Sequence, residues 1–344
     1  MKVLQVIDQL GVGGAERVAI DLSNILYNAS VDVSFLVLLR KTNQDILLNK
    51  NIPRFYLKRG SKFSVKYLFK LSRILKNYDI IHVHMRHTFR YVQLASKLFG
   101  INSKVILHDH FGKINIEFKV PFLLDSFLKP KYYIGVSNEL TNWCKNKLKL
   151  NNSNNIFLLS NIVAKQIVNK PENRNGWVIV GNIKTTKNQL FAVNLAAEYN
   201  KKLTIIGKIQ DQKYYDRITE AIKVNKQEQK INFIHNENNT QQLMNQFELG
   251  LMTSTSESGP LVLIEYLAQS LPFVSYKTGE VSSILSNKIP EFFVNSFDLV
   301  LWKSKIDNLP VNKIDFDNLF NTYFSPENYS KKCIAIYEKI LEDS

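Results

Sequence analysis

Short apolar runs rich in Val, Ile and Leu alternate with longer stretches of helical periodicity along this chain of 344 residues, starting at its second residue. Strands that alternate in this way with crossover helices pair parallel, because each helix returns the chain to the same end of the sheet. The first series reads as strands Lys2–Ile7, Val31–Leu38, Asp79–His84, Lys104–His108, Tyr132–Val136 and Ile156–Leu159. A polar, broken stretch at Asn169–Gly176 interrupts it, and a second series follows at Trp177–Gly181, Leu203–Gly207, Ile231–His235, Leu249–Thr253 and Pro272–Tyr276. With about 150 residues to a hydrophobic core, the pattern predicts an α/β protein of two doubly wound, Rossmann-like domains, residues 1–165 and 166–325, facing across a cleft. Ser325 and Pro326 supply an N-cap and a first helical residue for a final helix, 326–344. In such sheets ligands collect beyond the carboxyl ends of the strands, so the chemistry is to be sought just after each strand.

The formal charge of +15 comes from the first half: residues 1–165 hold 25 Lys and Arg against 10 Asp and Glu, and residues 166–344 hold 20 of each. That asymmetry calls for an anionic partner, whether a lipid surface, an acidic acceptor or nucleic acid. Neither an aromatic RNP motif nor a helix-turn-helix signature accompanies the charge, which speaks against nucleic acid. The segment Lys58–Lys76 offers a membrane-facing alternative. As a helix it would place Lys62, Lys66 and Lys70 four residues apart, Arg73 three further on, and Phe63, Tyr67, Leu71 and Ile74 alongside, an arrangement suited to an anionic interface. No apolar run approaches the roughly 20 residues of a membrane-spanning helix, and Lys2 and Asp8 break the apolar start. The expectation is a cytoplasmic protein, peripheral at most on the inner face of the membrane. Cys144 and Cys333 are too few for a disulfide framework or a thiolate metal site.

The densest chemical signal lies between Met252 and Ser275. A Ser/Thr loop leads to Glu257, Gly259 and Pro260, and then to an apolar helix interrupted by Glu265. Proline suits the first helical position, glycine permits close backbone approach, and the free N–H groups of Leu261 and Val262 would suit a phosphate. Two carboxylates beside a phosphate site suit vicinal hydroxyls, each oxygen accepting a charge-assisted hydrogen bond. In the first half, Gly11-Val12-Gly13-Gly14-Ala15-Glu16 follows the first strand. Glu16 stands where a dinucleotide fingerprint needs its third glycine. Five of the six histidines, His82, His84, His87, His108 and His110, fall within one short region, and alternation puts His82 and His84 on one face of their strand. No cysteine or helical H-x3-H pair accompanies them, so no metal is expected. Asp315-Phe316-Asp317 reads as a helix start.

Glu257-x7-Glu265 resembles the E-x7-E motif of glycosyltransferase family 4, the large group of retaining enzymes of the GT-B fold. The resemblance implies that Glu257 contacts the donor sugar and Glu265 the nucleotide ribose. Lys187 stands where the family carries a lysine on the donor diphosphate, and a fixed cation there stabilises the charge that develops as the glycosidic bond breaks. The companion arginine of the family is replaced by Asn182, with Lys184 as a nearby substitute lacking the bidentate fork. Gly13 and Gly14 resemble the family's GG-x-E loop near the diphosphate and acceptor. His108, with Asp109 and His110 beside it, resembles the histidine that approaches the donor sugar.

The resemblance therefore implies a metal-independent, retaining transferase. His108, Lys187 and Glu257 would be its catalytic residues, and Gly13, Gly14, Asn182, Lys187, Gly259, Leu261, Val262 and Glu265 would hold the nucleotide sugar, most simply a UDP-sugar, with no further cofactor. The acceptor would be a saccharide or a lipid-linked sugar, in cell-surface polysaccharide synthesis. It also implies that helix 326–344 packs back on the first domain. A sugar-nucleotide epimerase of the same fold, and a non-enzymatic basic nucleic-acid-binding protein, are the alternatives.

Overall fold

The structure, a computed structural model, describes residues 1–11, 13–39, 47–60, 64–112, 114, 116–150, 152–169, 171, 173–235, 237 and 239–343. Val12 of the glycine loop and Lys62 and Phe63 of the basic segment lie outside the described residues. The chain divides into two compact units, one made of Met1–Ala164 with Ser325–Ser344 and the other of Lys165–Phe324.

In the first unit the strands are β1 (Lys2–Ile7), β2 (Asp32–Val37), β3 (Arg54–Tyr56), β4 (Ile80–His84), β5 (Lys104–Asp109), β6 (Tyr132–Gly135) and β7 (Ile156–Leu158). Among the described residues they form one sheet in the order β3-β2-β1-β4-β5-β6-β7, every pairing parallel. Its helices are α1 (Gly14–Asn28), α2 (Val65–Leu75), α3 (Arg86–Leu98) and α4 (Asn138–Trp143). The inner strands are buried on both faces, as a sheet covered by crossover helices requires.

The second unit repeats the plan. It has strands β8 (Trp177–Val180), β9 (Leu203–Ile206), β10 (Ile231–Ile234), β11 (Leu249–Met252), β12 (Phe273–Tyr276) and β13 (Phe293–Val294) in the order β10-β9-β8-β11-β12-β13, again all parallel. Helices α5 (Gln189–Glu198), α6 (Gln212–Val224), α7 (Thr240–Met244), α8 (Leu261–Ala268), α9 (Glu280–Ser286), α10 (Leu299–Asp307) and α11 (Phe316–Phe324) accompany it. β3 and β13, of three and two residues, are absent from the sequence reading.

Helix α12 (Pro326–Glu342) belongs to the first unit although the whole second unit precedes it. Its N-cap Ser325 accepts from Asn328 N–H at 3.2 Å. Tyr329, Cys333, Tyr337 and Ile340, spaced four, four and three residues apart, form its buried stripe against Val3, Leu22, Leu26, Ile80, Ile106 and Ile134. Each large apolar side chain so buried contributes about 1.5–3 kcal/mol.

Helix α2 differs from the amphipathic pattern expected of an interfacial helix. Leu71 is fully buried in the core, and Tyr67 and Ile74 pack against that core, so these residues hold the helix to its own unit. The face left outside carries Lys66, Lys70 and Arg73 with Val65 and Phe69.

Helix α8 is apolar on all sides and buried from Val262 to Ala268, which seats it directly on the sheet. Tyr266 lies over Gly250 of β11, where an added Cβ would come within 2.6 Å of the ring, and its hydroxyl donates to the Leu251 carbonyl at 3.1 Å. Gly250→Ala should therefore force α8 outward and cost about 1–3 kcal/mol through overpacking. Urea unfolding followed by tryptophan fluorescence checks this; an unchanged midpoint would show that α8 is not seated as described.

Candidate functional site

In both sheets the strand order reverses beside the first strand of the unit, between β1 and β4 and between β8 and β11. A crevice at the carboxyl ends of the strands forms at such a reversal. In the second unit the loops that end there are Gly181–Asn188 and Thr253–Pro260. They bring Lys187 and Glu257 together, Nζ to Oε1 at 2.5 Å, with 22% and 13% of the two side chains exposed.

Backbone fastenings hold that pair in place. The Thr253 hydroxyl lies 3.0 Å from the carbonyls of both Lys187 and Asn188, and Thr255 N–H donates to the Thr186 carbonyl at 2.9 Å. The Lys187 stem lies over Gly181, 3.4 Å from where a Cβ would stand. Glu257 N–H donates to Thr278 Oγ1 at 3.3 Å and Glu280 N–H to the Ser258 carbonyl at 2.8 Å. Gly279 sits at φ +81°, and a Cβ there would meet Pro260 Cδ at 2.9 Å and Glu257 Cβ at 3.1 Å. Thr253, Thr278 and Gly279 thus shape the site, and the sequence reading missed all three.

Pro260 is the N-cap of α8 rather than its first residue, with an extended ψ of 109° and no side-chain cap. The leading N–H groups of the helix, at Leu261, Val262 and Leu263, therefore have no capping side chain, the arrangement that receives an anion. Gly259 directly precedes them. Glu265 lies one turn further in and is buried, its Oε1 accepting from the Thr240 hydroxyl at 3.3 Å. A carboxylate so enclosed is no solvated helix position. Asn182 is occupied in holding the next loop, its Oδ1 accepting from Lys208 N–H at 3.3 Å. Gly207 lets that loop approach, since a Cβ there would fall 2.2 Å from the Gly181 carbonyl oxygen.

In the first unit Gly13 is the N-cap of α1 and Gly14 its first residue. The Glu16 carboxylate folds back over Gly13, and burial raises its pKa against the opposing pull of its own backbone N–H and of His87. His82, His84 and His108 are fully buried, and His110 stands just after β5. His82 Nε2 and His108 Nδ1 are 2.8 Å apart, and His84 Nδ1 and His110 Nε2 are 3.0 Å apart. His82 Nδ1 lies 2.7 Å from the Tyr337 hydroxyl of α12, and His84 Nε2 lies 2.9 Å from Gln5 Oε1. Beside them Asp109 is paired with Arg86 at 2.7 Å and accepts from the Tyr133 hydroxyl at 2.8 Å. Arg86 is itself held between the rings of Phe111 and Trp143.

Nitrogens of His82, His84 and His108 fall within 4.8 Å of one another, close enough for a metal, but seating one there would break the His82–His108 hydrogen bond. His87 lies apart from this group, 3.5 Å from Asp8. Asp315 caps α11 by accepting from Asn318 N–H at 2.9 Å, the helix-start role read from the sequence.

The profile described as glycosyl transferases group 1 matches residues 139–313, and that of Glycosyltransferase Family 4 matches residues 12–179. An uncharacterized glycosyltransferase of Haemophilus influenzae is 25% identical over 288 residues, covering 77% of each chain. Among solved structures, Anabaena HepE in complex with UDP-glucose superposes with a TM-score of 0.82 at 15% identity, covering 98% of this chain and 100% of its own. A glycosyltransferase from Rickettsia africae does so at 0.78 and 18% identity, covering 100% and 99%. The likeness shows the GT-B fold, two Rossmann-like domains with parallel sheets.

Burial drives the histidine cluster neutral: the pKa of His82 falls to about 3, as does that of His110, and those of His84 and His108 fall well below 6.5. Between an unfolded value near 6.5 and these folded values the unfolded chain binds the extra protons. Stability should therefore be undiminished above pH 6.5 and fall as the pH drops towards 3, by up to about 1.4 kcal/mol per histidine per pH unit. Urea unfolding of the first unit at pH 7.5, 6 and 5 tests this, and equal stabilities at all three would mean that these imidazoles are not held neutral.

Proposed function

The chain belongs to the group 1 glycosyltransferases, and from that premise we propose that it moves a sugar from a nucleotide diphosphate to a saccharide or lipid-linked acceptor, with retention of configuration and without a metal ion. The observation that carries this reading is the Lys187–Glu257 pair beside the uncapped start of α8, with Glu265 buried one turn beyond. The diphosphate would lie on the N–H groups of Leu261 and Val262. Lys187 would swing from Glu257 to the phosphate oxygens and stabilise the negative charge that grows on them as the glycosidic bond breaks. Glu257, released, would accept hydroxyls of the donor sugar, and Glu265 those of the ribose. His108 would contribute to recognition of the sugar. In a retaining displacement the leaving phosphate takes the proton of the acceptor hydroxyl as that oxygen bonds to the anomeric carbon, so the balance needs no protein nucleophile. That HepE is solved with UDP-glucose supports a UDP-sugar as donor, and that a TarM variant of S. aureus is solved with UDP, fondaparinux and α-GlcNAc-glycerol supports a saccharide acceptor.

Lys187→Ala should lower kcat by about 10²–10³. Glu265→Ala should weaken UDP binding by about 1.5–3 kcal/mol. Excess EDTA should leave wild-type transfer intact. Loss in chelator with recovery in Mn²⁺, or wild-type kinetics in Lys187→Ala, would sink the reading, and turnover of donor alone to an isomer would favour the epimerase.

The anionic partner is assigned to a lipid surface on the first unit, away from the buried face of α2. No helix among the described residues is long and apolar enough to cross a membrane. Yet Ile116, Phe118, Phe122 and Phe127 stand exposed in the segment after β5, Phe122 at 77%, and Val65, Phe69 and Leu98 of the same unit are exposed as well. Lys97 lies over the Phe127 ring and Arg90 donates to the Phe122 carbonyl, so cations accompany the aromatics. Apolar side chains that enter the acyl boundary beside basic ones that meet anionic headgroups would hold the enzyme at its lipid-linked acceptor. Co-sedimentation should require anionic vesicles and fall at least several-fold in Phe118→Asp with Phe122→Asp. Equal recovery with neutral vesicles, or unchanged binding by the double variant, would remove the membrane from the proposal.

A further inference from the structure

The two outward nitrogens of the histidine cluster, His108 Nε2 and His110 Nδ1, are buried and have no hydrogen-bond partner among the described residues. What they offer a ligand depends on where the protons lie, and the network fixes that. A carbonyl oxygen only accepts, so Gln5 Oε1, 2.9 Å from His84 Nε2, requires the His84 proton on Nε2. His84 Nδ1 is then a lone pair, and His110 must donate to it from Nε2 at 3.0 Å. His110 Nδ1 is left as a bare acceptor.

The second arm runs through Tyr337, whose oxygen accepts from Gln5 Nε2 at 3.1 Å and lies 2.7 Å from His82 Nδ1. If the phenol donated to His82, each proton down the arm would point outward, and His108 would bury an N–H without an acceptor. Cys333 stands one turn before Tyr337 on α12, both fully buried, so its sulfur is placed to accept from the phenol. Donating there instead lets it accept from both Gln5 and His82, and every proton on the arm is partnered. Orphaned buried N–H groups are rarer than unfilled acceptors, so the second order is preferred. His108 Nε2 then also presents a lone pair, on a ring whose centroid is 4.2 Å from that of His110.

We propose that His110 is a second sugar-binding residue, forming with His108 a two-acceptor subsite for adjacent hydroxyls, and that Gln5, acting through His84, is the positioning residue that locks its tautomer. The assignment rests on the glycosyl-transfer reading for the identity of the ligand. Two neutral acceptors side by side attract O–H donors and repel phosphate oxygens, so the pair is suited to a sugar ring rather than to the diphosphate. The sugar could be that of the donor or that of the acceptor, and the two are separable by experiment.

Full-length protein labelled with ¹⁵N-histidine reads the tautomers directly. His110 should show a protonated Nε2 and an unprotonated Nδ1 without ligand, and Gln5→Leu should mix the two forms. UDP-glucose should shift His110 Nδ1 and UDP should not if the donor sugar is the ligand; methyl glucoside added to the UDP complex should do so if it is the acceptor. In His110→Phe the KM for the sugar-bearing substrate should rise about tenfold while inhibition by UDP is unchanged. The proposal is overturned by the opposite tautomer at His110, by silence of His110 Nδ1 towards both sugars, or by a stoichiometric response of both nitrogens to Zn²⁺ alone. A His110 response in a protein that transfers no sugar would instead count against the transfer reading and leave the subsite standing.

Discussion

Where a parallel sheet reverses its winding, neighbouring strands send their crossovers to opposite faces, and the gap beyond their carboxyl ends stays open. Both units are wound about such a reversal, β1 beside β4 and β8 beside β11. The constraint decides which residues can meet. Lys187 and Glu257 are 70 positions apart in the chain, yet they end adjacent strands at one gap. His82 and His108 are 26 apart and meet on the neighbouring strands β4 and β5, one strand beyond the reversal. Backbone economy supports the arrangement: glycine at positions 207 and 279 lets loops approach where any side chain would intrude on a neighbouring backbone or on the acidic loop.

The units answer the reversal with opposite electrostatics. The second places charge at its gap, a lysine against a glutamate beside the positive end of a helix, a fixed arrangement of charge that needs little solvent reorganisation to meet an anion. The first unit removes charge. Its four clustered imidazoles are too deeply buried to take up a second proton, and an ion pair at the same edge, Arg86 with Asp109, is spent internally and enclosed by Phe111 and Trp143. One gap therefore suits anionic oxygens and the other neutral hydrogen-bond donors.

Much of this was legible wherever function is local in sequence. Glu257 and Glu265 lie on one strand-loop-helix segment, and the apolar surroundings of Glu265 already marked it as enclosed, which its burial bears out. Strand alternation put His82 and His84 on one face. It could not show that Tyr337, 255 residues away, closes that face, because nothing in a tyrosine on an amphipathic helix announces its partner. Thr253, Thr278 and Gly279 escaped for a related reason: a threonine that fastens one loop to another looks like any other threonine until the loops meet. On α2 the period of apolar residues was read correctly and its destination was not, since a stripe bound for a lipid surface and a stripe bound for the core have the same spacing.

The return of α12 to the first unit has a consequence for synthesis. Tyr329, Cys333, Tyr337 and Ile340 complete a core whose other walls, Val3 and Leu22 among them, leave the ribosome about 300 residues earlier. The intervening unit must be translated before that helix exists, which at bacterial or eukaryotic elongation rates takes on the order of ten to thirty seconds. Throughout that interval the nascent first unit carries an open apolar trough and histidines with no tyrosine to close them. The second unit, continuous in sequence, can fold meanwhile. The first unit is thus begun before the second and completed after it, and the trough it exposes meanwhile is a natural place for a chaperone to hold the growing chain.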